Sequence, residues 1–234
     1  MKRFWDTAAV QAVAGGYAVT LDGKPIRLPD GPVLLVVSAR LAHAIADEWQ
    51  AAGGAKGGEM TFADTPLTRI AGTAEARIAP DPLPTIDALA LYGESDLLCY
   101  RAEAPEPLAR RQARGWQPWL DWAALTFDAK LKTTTGIGFV RQDPGSLRAL
   151  RQALTRYDPV TLAALGVAIP ALGSLVLGLA MAERQLDAKT AYEIGAIDEL
   201  FQVEFWGEDP EAAARRAAIA ADIAIAGRLM ELMR

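Results

Sequence analysis

The stretch Asp198-Glu199-Leu200-Phe201-Gln202-Val203-Glu204-Phe205-Trp206-Gly207-Glu208-Asp209 combines large apolar side chains with a run of acids. At helical spacing Leu200, Val203 and Gly207 share one stripe, and the two phenylalanines lie beside it. The pattern predicts a short amphipathic helix that packs its aromatic side chains on a core and turns its acids outward. A solvated helix face and a binding surface both fit this spacing.

Three Asp-Pro pairs near this stretch are typical of helix starts: Asp143-Pro144, Asp158-Pro159 and Asp209-Pro210. In each pair the aspartate can cap free backbone N–H groups, and proline occupies the first turn, where no N–H is needed. The pairs predict helices at 144–157, 159–168 and 210–233. A further buried helix is expected at about 170–185, and Asp187 should start the helix that carries the opening stretch.

The first forty residues instead predict a β-meander. Tyr17–Leu21 alternates as a strand does, and Asp22-Gly23 is a hairpin signal because both residues tolerate positive φ. Turns are expected at Gly15-Gly16 and at Pro29-Asp30-Gly31. The run Val33–Val37 predicts a continuous apolar strand covered on both faces.

Helix signals follow the meander. Ser38 is expected to cap a helix that buries Leu41, Ile45 and Trp49, and Thr65-Pro66 opens another helix. The densest proline segment, 79–84, predicts a domain junction. We therefore predict an α+β protein with a small N-terminal β-rich α/β domain at 1–84 and an all-helical C-terminal bundle at 85–234.

Within the second region, Thr85 is expected to cap a helix that runs to Tyr92. Asp96–Arg101 is predicted as extended chain. A helix over Leu108–Phe127 should be kinked or split by Pro118. Thr133–Val140 predicts a strand or a long β-branched loop.

Composition excludes several classes of protein. The chain has 234 residues, 51% of them apolar, and a net charge of −5, which argues against a nucleic-acid partner. The single cysteine, Cys99, excludes an internal disulfide and a cysteine-rich zinc site, and it indicates a reducing compartment. No long apolar block follows the first residues, so we expect no signal peptide.

One apolar run has the length of a membrane span. From Val160 to Met181 the only polar side chains are Thr161 and Ser174. Pro170 and three glycines interrupt the run, which favours two consecutive buried helices and no integral membrane segment. A membrane-associated assembly factor stays open as an alternative.

The sequence contains neither a Gly-x-Ser-x-Gly elbow nor a Ser-x-x-Lys motif. His43 is the only histidine and is expected on a helix surface, and Cys99 is expected to be a small buried apolar residue. Gly23-Lys24 lacks the other residues of a phosphate-binding loop, and Gly136-Ile137-Gly138 lacks the third glycine of a dinucleotide fingerprint. Paired carboxylates in 198–208 could serve a hydrolase in an interdomain cleft, which is the alternative function.

Several segments, taken in their order along the chain, resemble those of a known family. They are Phe4-Trp5, Gly16-Tyr17 followed by Leu21-Asp22-Gly23-Lys24-Pro25, Ile45-Ala46-Asp47-Glu48-Trp49, Pro66-Leu67-Thr68-Arg69, Asp96-Leu97-Leu98-Cys99-Tyr100-Arg101, Gln112 with Trp116 and Pro118, and Asp198-Glu199-Leu200-Phe201-Gln202 ending in Trp206-Gly207. Together they resemble the assembly chaperone of the F-type ATP synthase that escorts the α subunit of the catalytic sector.

The resemblance implies a β-rich α+β domain followed by a helical domain, no enzymatic activity and no cofactor. It implies a protein that holds the unassembled α subunit and shields its interface until the β subunit replaces it. It points to a carboxylate near Glu199, and we expect partner-binding residues at Asp198, Glu199, Gln202, Glu204 and Trp206. Eukaryotic relatives work in the mitochondrial matrix; for this chain we expect a bacterial cytoplasmic protein that is a monomer when free.

Overall fold

A computed structural model describes residues 1–28, 31–136 and 138–234. The chain forms two compact units. The first unit comprises Met1–Pro82, Asp158–Ala164 and Arg228–Arg234, and the second comprises Leu83–Tyr157 and Leu165–Gly227. Strands lie mainly near the N-terminus and helices dominate the rest, so the predicted α+β class is confirmed. The division into independent domains at 84/85 stays a prediction.

An antiparallel sheet opens the first unit. Its strands are β1 (Ala8–Val13), β2 (Gly16–Leu21), β3 (Lys24–Pro25) and β4 (Leu35–Val36), and β2 pairs with all three others. Asp22 and Gly23 have φ of 48° and 79°, which confirms the predicted hairpin. Gly16 is required by close approach, because a Cβ there would lie 2.5 Å from the carbonyl oxygen of Val36.

The predicted strand Val33–Val37 is wrong in extent. Only Leu35–Val36 forms a strand, and Val37 is 70% exposed, so the run is not covered on both faces. A short apolar run rich in valine favours extended chain but does not supply the neighbouring strands that a full-length ladder needs. Two residues of the turn predicted at Pro29-Asp30-Gly31, namely 29 and 30, lie outside the described residues. Ile137 in the predicted strand Thr133–Val140 also lies outside them.

Helices α1 (Ala39–Ala51) and α2 (Pro66–Thr73) complete the local frame of the first unit. The Ser38 hydroxyl accepts from the Leu41 N–H, and Leu41, Ile45 and Trp49 are buried, as predicted. Arg3 is 4% exposed, and its guanidinium donates to five backbone carbonyls, including those of Gln50 and Gly54 at 2.7 and 2.6 Å. This single side chain fixes the end of α1.

The second unit begins with α3 (Leu83–Ala90) and the long helix α4 (Glu106–Phe127). The prediction that Thr85 caps α3 is wrong, because the helix already begins at Leu83. Pro118 does not split α4, which continues to Phe127 and ends at Asp128 in the left-handed region. Of the predicted extended segments only β5 (Tyr100–Arg101) and β6 (Thr134–Thr135) are strands, and they pair in parallel.

The three helix starts predicted from the Asp-Pro pairs agree with the structure, although the first helix ends at Leu154 and not at 157. Helices α5 (Pro144–Leu154), α6 (Pro159–Leu172) and α10 (Pro210–Leu232) each begin at the proline. The predicted end of α6 at 168 is wrong, because the helix passes Pro170 and stops at Leu172. Gly173, with φ of 63°, and Ser174, which caps α7 (Leu175–Ala182), make the break instead.

The apolar run 160–181 is split between two short helices, α6 and α7. Every residue of α7 from Leu175 to Met181 is buried. Among the described residues no helix has both the length and the hydropathy needed to cross a membrane. Asp187 caps α8 (Ala188–Gly195), and the opening stretch forms a separate helix, α9 (Ile197–Trp206). The prediction of one helix over both segments is therefore wrong.

Candidate functional site

Helix α9 carries the stretch that the sequence singled out. Ile197 and Phe201 are buried on one side, one helical turn apart, and fix the helix to the second unit. Phe205 and Trp206 are 62% and 77% exposed in the last turn, before Gly207 ends the helix with φ of 84°. Two large aromatic side chains therefore stand in solvent at one end of α9.

The exposure of Phe205 corrects the prediction that the phenylalanines face a core. Phe205 is one turn beyond Phe201, and the two rings lie 4.5 Å apart at an interplanar angle of 35°. Helical spacing tells which residues share a face, but it does not tell how far along the helix the core extends. Here the core ends one turn before the helix does.

Asp198 is held inside the unit by α4. Its carboxylate accepts a 2.6 Å hydrogen bond from the Gln112 amide, and Gln112 is 1% exposed. The Gln112 oxygen in turn accepts from the Ala102 N–H at 2.7 Å. Asp198 thus anchors the start of α9 to a buried amide.

Glu204 also contacts α4. The Arg111 guanidinium donates to both Glu204 oxygens, at 2.7 and 2.8 Å, and lies 5.3 Å from the centroid of the Phe201 ring. The hydrogen bond from Arg111 lowers the pKa of Glu204 below its ordinary value. A bidentate pair of this kind fixes orientation. Glu204 therefore holds the second half of α9 in place.

The remaining three predicted residues meet at one surface. Glu199, Gln202 and Trp206 line a groove of about 190 Å³ together with the first turns of α10. Gln202 and Trp206 are exposed, and Glu199 is partly exposed, with its carboxylate 3.9 Å from the Arg215 guanidinium. We call Glu199, Gln202, Phe205 and Trp206 the aromatic-acidic surface.

The start of α10 is tied down beside this surface. The Asp209 carboxylate accepts from the Ala212 N–H at 2.8 Å, and Arg216, which is 8% exposed, donates to Glu208 at 2.8 Å. The chain between the two helices is therefore held from both sides. Because it is held, the exposed aromatic side chains of α9 project from a defined backbone.

The structure thus divides the five predicted residues into two groups. Glu199, Gln202 and Trp206 lie together at the groove, whereas Asp198 and Glu204 bind groups of α4. Sequence reasoning missed the exposure of Phe205 and the role of Arg111. No local pattern reveals Arg111, which is 93 residues from Glu204 in the chain.

Cys99 and His43 have side chains that can take part in catalysis, and both lie in the surroundings that the sequence predicted. Cys99 is buried, and burial raises the pKa of its thiol to about 12, as expected for a packed apolar residue. His43 is exposed on α1, as predicted. In residues 1–28, 31–136 and 138–234, no three His, Cys, Asp or Glu side chains group so as to hold a metal ion.

Exposed aromatic side chains at the end of an anchored helix are typical of proteins that bind other proteins. A family model described as the ATP12 chaperone protein matches residues 2–124. This chain belongs to that family, whose members are assembly chaperones of the ATP synthase.

The fold of this chain matches solved structures over its whole length. Atp12 from Paracoccus denitrificans is 42% identical with a TM-score of 0.92, and the match covers 100% of this chain and 98% of that one. An aspartate-to-lysine mutant of P. denitrificans Atp12p matches at 41% identity over the same shares, also with a TM-score of 0.92. A candidate chaperone from Agrobacterium tumefaciens is 35% identical over 100% of this chain and 86% of that one, with a TM-score of 0.92.

Proposed function

We propose that this protein binds the unassembled α subunit of the F-type ATP synthase catalytic sector and shields its subunit interface until the β subunit replaces it. The observation that carries the proposal is the pair of exposed aromatic side chains, Phe205 and Trp206, at the end of an anchored helix. Membership of an ATP synthase assembly chaperone family supports the same client complex.

The aromatic pair has the chemistry that such a client requires. A subunit destined for a closed ring exposes apolar area before assembly and tends to aggregate through it. Burying Phe205 and Trp206 against that area contributes about 3–6 kcal/mol in gross terms, before the cost of association is subtracted. Tryptophan is also the residue type most enriched among energetically dominant interface positions.

We assign different roles to the five predicted residues. Trp206 is the apolar anchor, and Glu199 and Gln202 are the polar border that contacts the client. Asp198 and Glu204 are positioning residues, since their carboxylates are bound to Gln112 and Arg111. We propose that the protein is a cytoplasmic bacterial monomer when free of its client.

A hydrolase built on these carboxylates has little support. General acid–base catalysis needs a carboxyl group with a raised pKa near its partner, whereas Arg111 lowers the pKa of Glu204. Burial raises the pKa of two acids elsewhere, Asp96 and Glu48, and both carboxyl groups accept hydrogen bonds from backbone N–H groups. We therefore propose a binding function without catalysis.

Affinity for the purified α subunit tests the proposal. The wild-type chain should bind the isolated α subunit, and Phe205→Ala/Trp206→Ala should weaken binding at least about tenfold. Leu125→Ala is the matched control, because Leu125 is 88% exposed on α4 and lies outside the surface. Equal affinity of the double variant and the wild type would remove this surface from the interface, and no binding by the wild type would refute the α-subunit client.

A further inference from the structure

A second concave surface adjoins the buried start of α9. It is lined by Pro107, Arg110, Arg111, Arg114 and Gly115 of α4 and by Ile197 of α9, and its volume is about 660 Å³. We call it the arginine groove. Pockets that hold ligands commonly enclose about 300–1,000 Å³, so this groove can admit several side chains of another protein.

The floor of the groove is formed where two helices approach closely. A Cβ at position 115 would lie 2.5 Å from Cδ1 of Ile197, so the glycine leaves room for the end of that side chain between α4 and α9. Ile197 is 8% exposed. The groove therefore has an apolar, fixed base beneath its arginines.

The arginines concentrate positive charge in an acidic protein. The chain has 24 basic and 29 acidic residues, yet Arg110 and Arg114 lie one turn apart on the same helix face with Arg111 between them. Like charges at this spacing destabilise a helix. All three guanidinium-bearing residues line one concave surface, which favours a role in binding.

The arginines are only partly neutralised within the chain. Arg110 is 3.2 Å from Glu106, and Arg111 is bound by Glu204. In the described parts of the chain, Arg114 contacts no acidic side chain within 4 Å and makes no hydrogen bond through its side chain. One guanidinium in the groove is therefore available to an outside acceptor.

We infer that the arginine groove binds an acidic segment of the client protein, with carboxylates that accept hydrogen bonds from Arg114 and Arg110. Guanidinium groups bind carboxylates through two parallel hydrogen bonds, which adds geometric selectivity to the charge attraction. The inference rests on the proposed client and extends it, because it assigns a second contact with that client.

The two surfaces lie toward opposite ends of α9. Ile197 borders the arginine groove, whereas the groove beside Trp206 is lined by acids and bases together, Glu199 and Asp209 with Arg215 and Arg216. A client that covers both must present acidic groups to the arginine groove and an apolar patch to Trp206. Charges arranged in this way fix the orientation of docking more than they add affinity.

Charge reversal tests the groove in the full-length chain. Arg110→Glu/Arg114→Glu should weaken binding of the purified α subunit about tenfold at low ionic strength, with a smaller difference in high salt. The matched control is Arg141→Glu/Arg148→Glu, which makes the same change in net charge at two exposed positions of the same unit. Circular dichroism and the thermal midpoint of each variant establish that it is folded.

A zero-length cross-link identifies the occupant. Arg114→Lys keeps the positive charge and places a primary amine in the groove, and carbodiimide activation then joins that amine to a carboxylate in contact with it. Peptide mapping should show position 114 linked to an aspartate or glutamate of the α subunit. Arg141→Lys treated in the same way should give no such link.

The outcomes separate this inference from the proposed function. If the wild type binds the α subunit and the groove reversal weakens binding no more than the control reversal does, the inference is wrong and the client assignment survives. A cross-link from position 114 to this chain itself, or none to the client, would also overturn it. If the wild type fails to bind the α subunit, both the inference and the proposed function fall.

Discussion

Helix α7 and the last turn of α9 are both rich in large apolar residues, yet those of α7 are buried and those of α9 are exposed. Leu175 to Met181 are all buried, whereas Phe205 and Trp206 remain 62% and 77% exposed. Apolar content alone therefore does not decide where a segment lies. Helix α7 contributes to the core of its own unit, and we propose that the exposed end of α9 binds another protein.

Polar anchors underlie this difference. At α7 the Ser174 hydroxyl donates to Asp96 at 2.8 Å and accepts from the Leu177 N–H at 3.1 Å, all in the interior. At α9 the anchors are Asp198 with Gln112 and Glu204 with Arg111, and both lie before the exposed turn. The hydrogen bonds at α7 satisfy polar groups in the core. Those at α9 fix the helix while its last residues remain exposed to solvent.

The largest expected effect is loss of stability on truncation in α7. Leu177 is fully buried, so Leu177→Ala should lower the free energy of unfolding by about 2–5 kcal/mol. Trp206→Ala should change it by less than about 0.5 kcal/mol, since an exposed side chain loses little packing. Urea denaturation followed by circular dichroism measures both, and similar losses would erase the contrast between the two helices.

The buried carboxyl of Asp96, which binds Ser174 at the start of α7, makes the stability of the folded chain depend on pH. Burial raises the pKa of this carboxyl to about 6, so the folded chain binds its proton more tightly than the unfolded chain, whose carboxyl has an ordinary value near 3.8. Between these two values the folded state carries more protons, and the stability contributed by Asp96 falls as pH rises from about 4 to about 6.

We therefore expect the stability of the wild type minus that of Asp96→Asn to fall by about 2–3 kcal/mol between pH 4 and pH 6.5. The asparagine variant should also be less stable at pH 4, because its amide cannot satisfy every donor from Leu98, Ser174 and Val176. Denaturant curves at several pH values measure the difference. A difference that grows with pH would show that the buried carboxyl favours its ionised form.

A smaller effect is expected at the anchor of α9. Glu204→Gln keeps the shape of the side chain but weakens its bidentate bond to Arg111, so α9 should be held less firmly. We expect about two- to fivefold weaker binding of the α subunit and a nearly unchanged thermal midpoint. A loss as large as that of the Phe205→Ala/Trp206→Ala variant would mean that Glu204 contacts the client directly.

The smallest effect should come from the border of the surface. Gln202 is exposed beside Trp206, and border residues contribute little to affinity even when they exclude water. Gln202→Ala should change the dissociation constant less than about threefold, whereas Trp206→Ala alone should change it by about tenfold or more. Calorimetric titration of both variants measures the ratio, and equal effects would show that no single residue dominates.

Local chemistry explains which parts of the fold the sequence could predict. Each Asp-Pro pair specifies a helix start within a few residues, and Asp22-Gly23 specifies a hairpin, since both signals act between neighbours in the chain. The break after α6 also had a local signal. Gly173 in the left-handed region followed by a capping Ser174 sets this break, whereas the prediction ended the helix before Pro170, four residues too early.

The candidate site was predictable only as a segment. The composition of 198–209 indicated a surface helix, but the partners of Asp198 and Glu204 lie 86 and 93 residues away in the chain. Only packing of α4 against α9 brings them together. For the same reason the sequence could not separate the positioning residues from the exposed ones or reveal the arginine groove.

Hydrogen exchange of the full-length chain with and without the purified α subunit tests most directly whether the exposed end of α9 contacts the client. We expect backbone amides of the last turn of α9 and of residues 207–212 to gain protection in the complex, while those of α7 stay unchanged. Protection confined to other parts of the chain, with 199–212 exchanging as in the free protein, would contradict the claim.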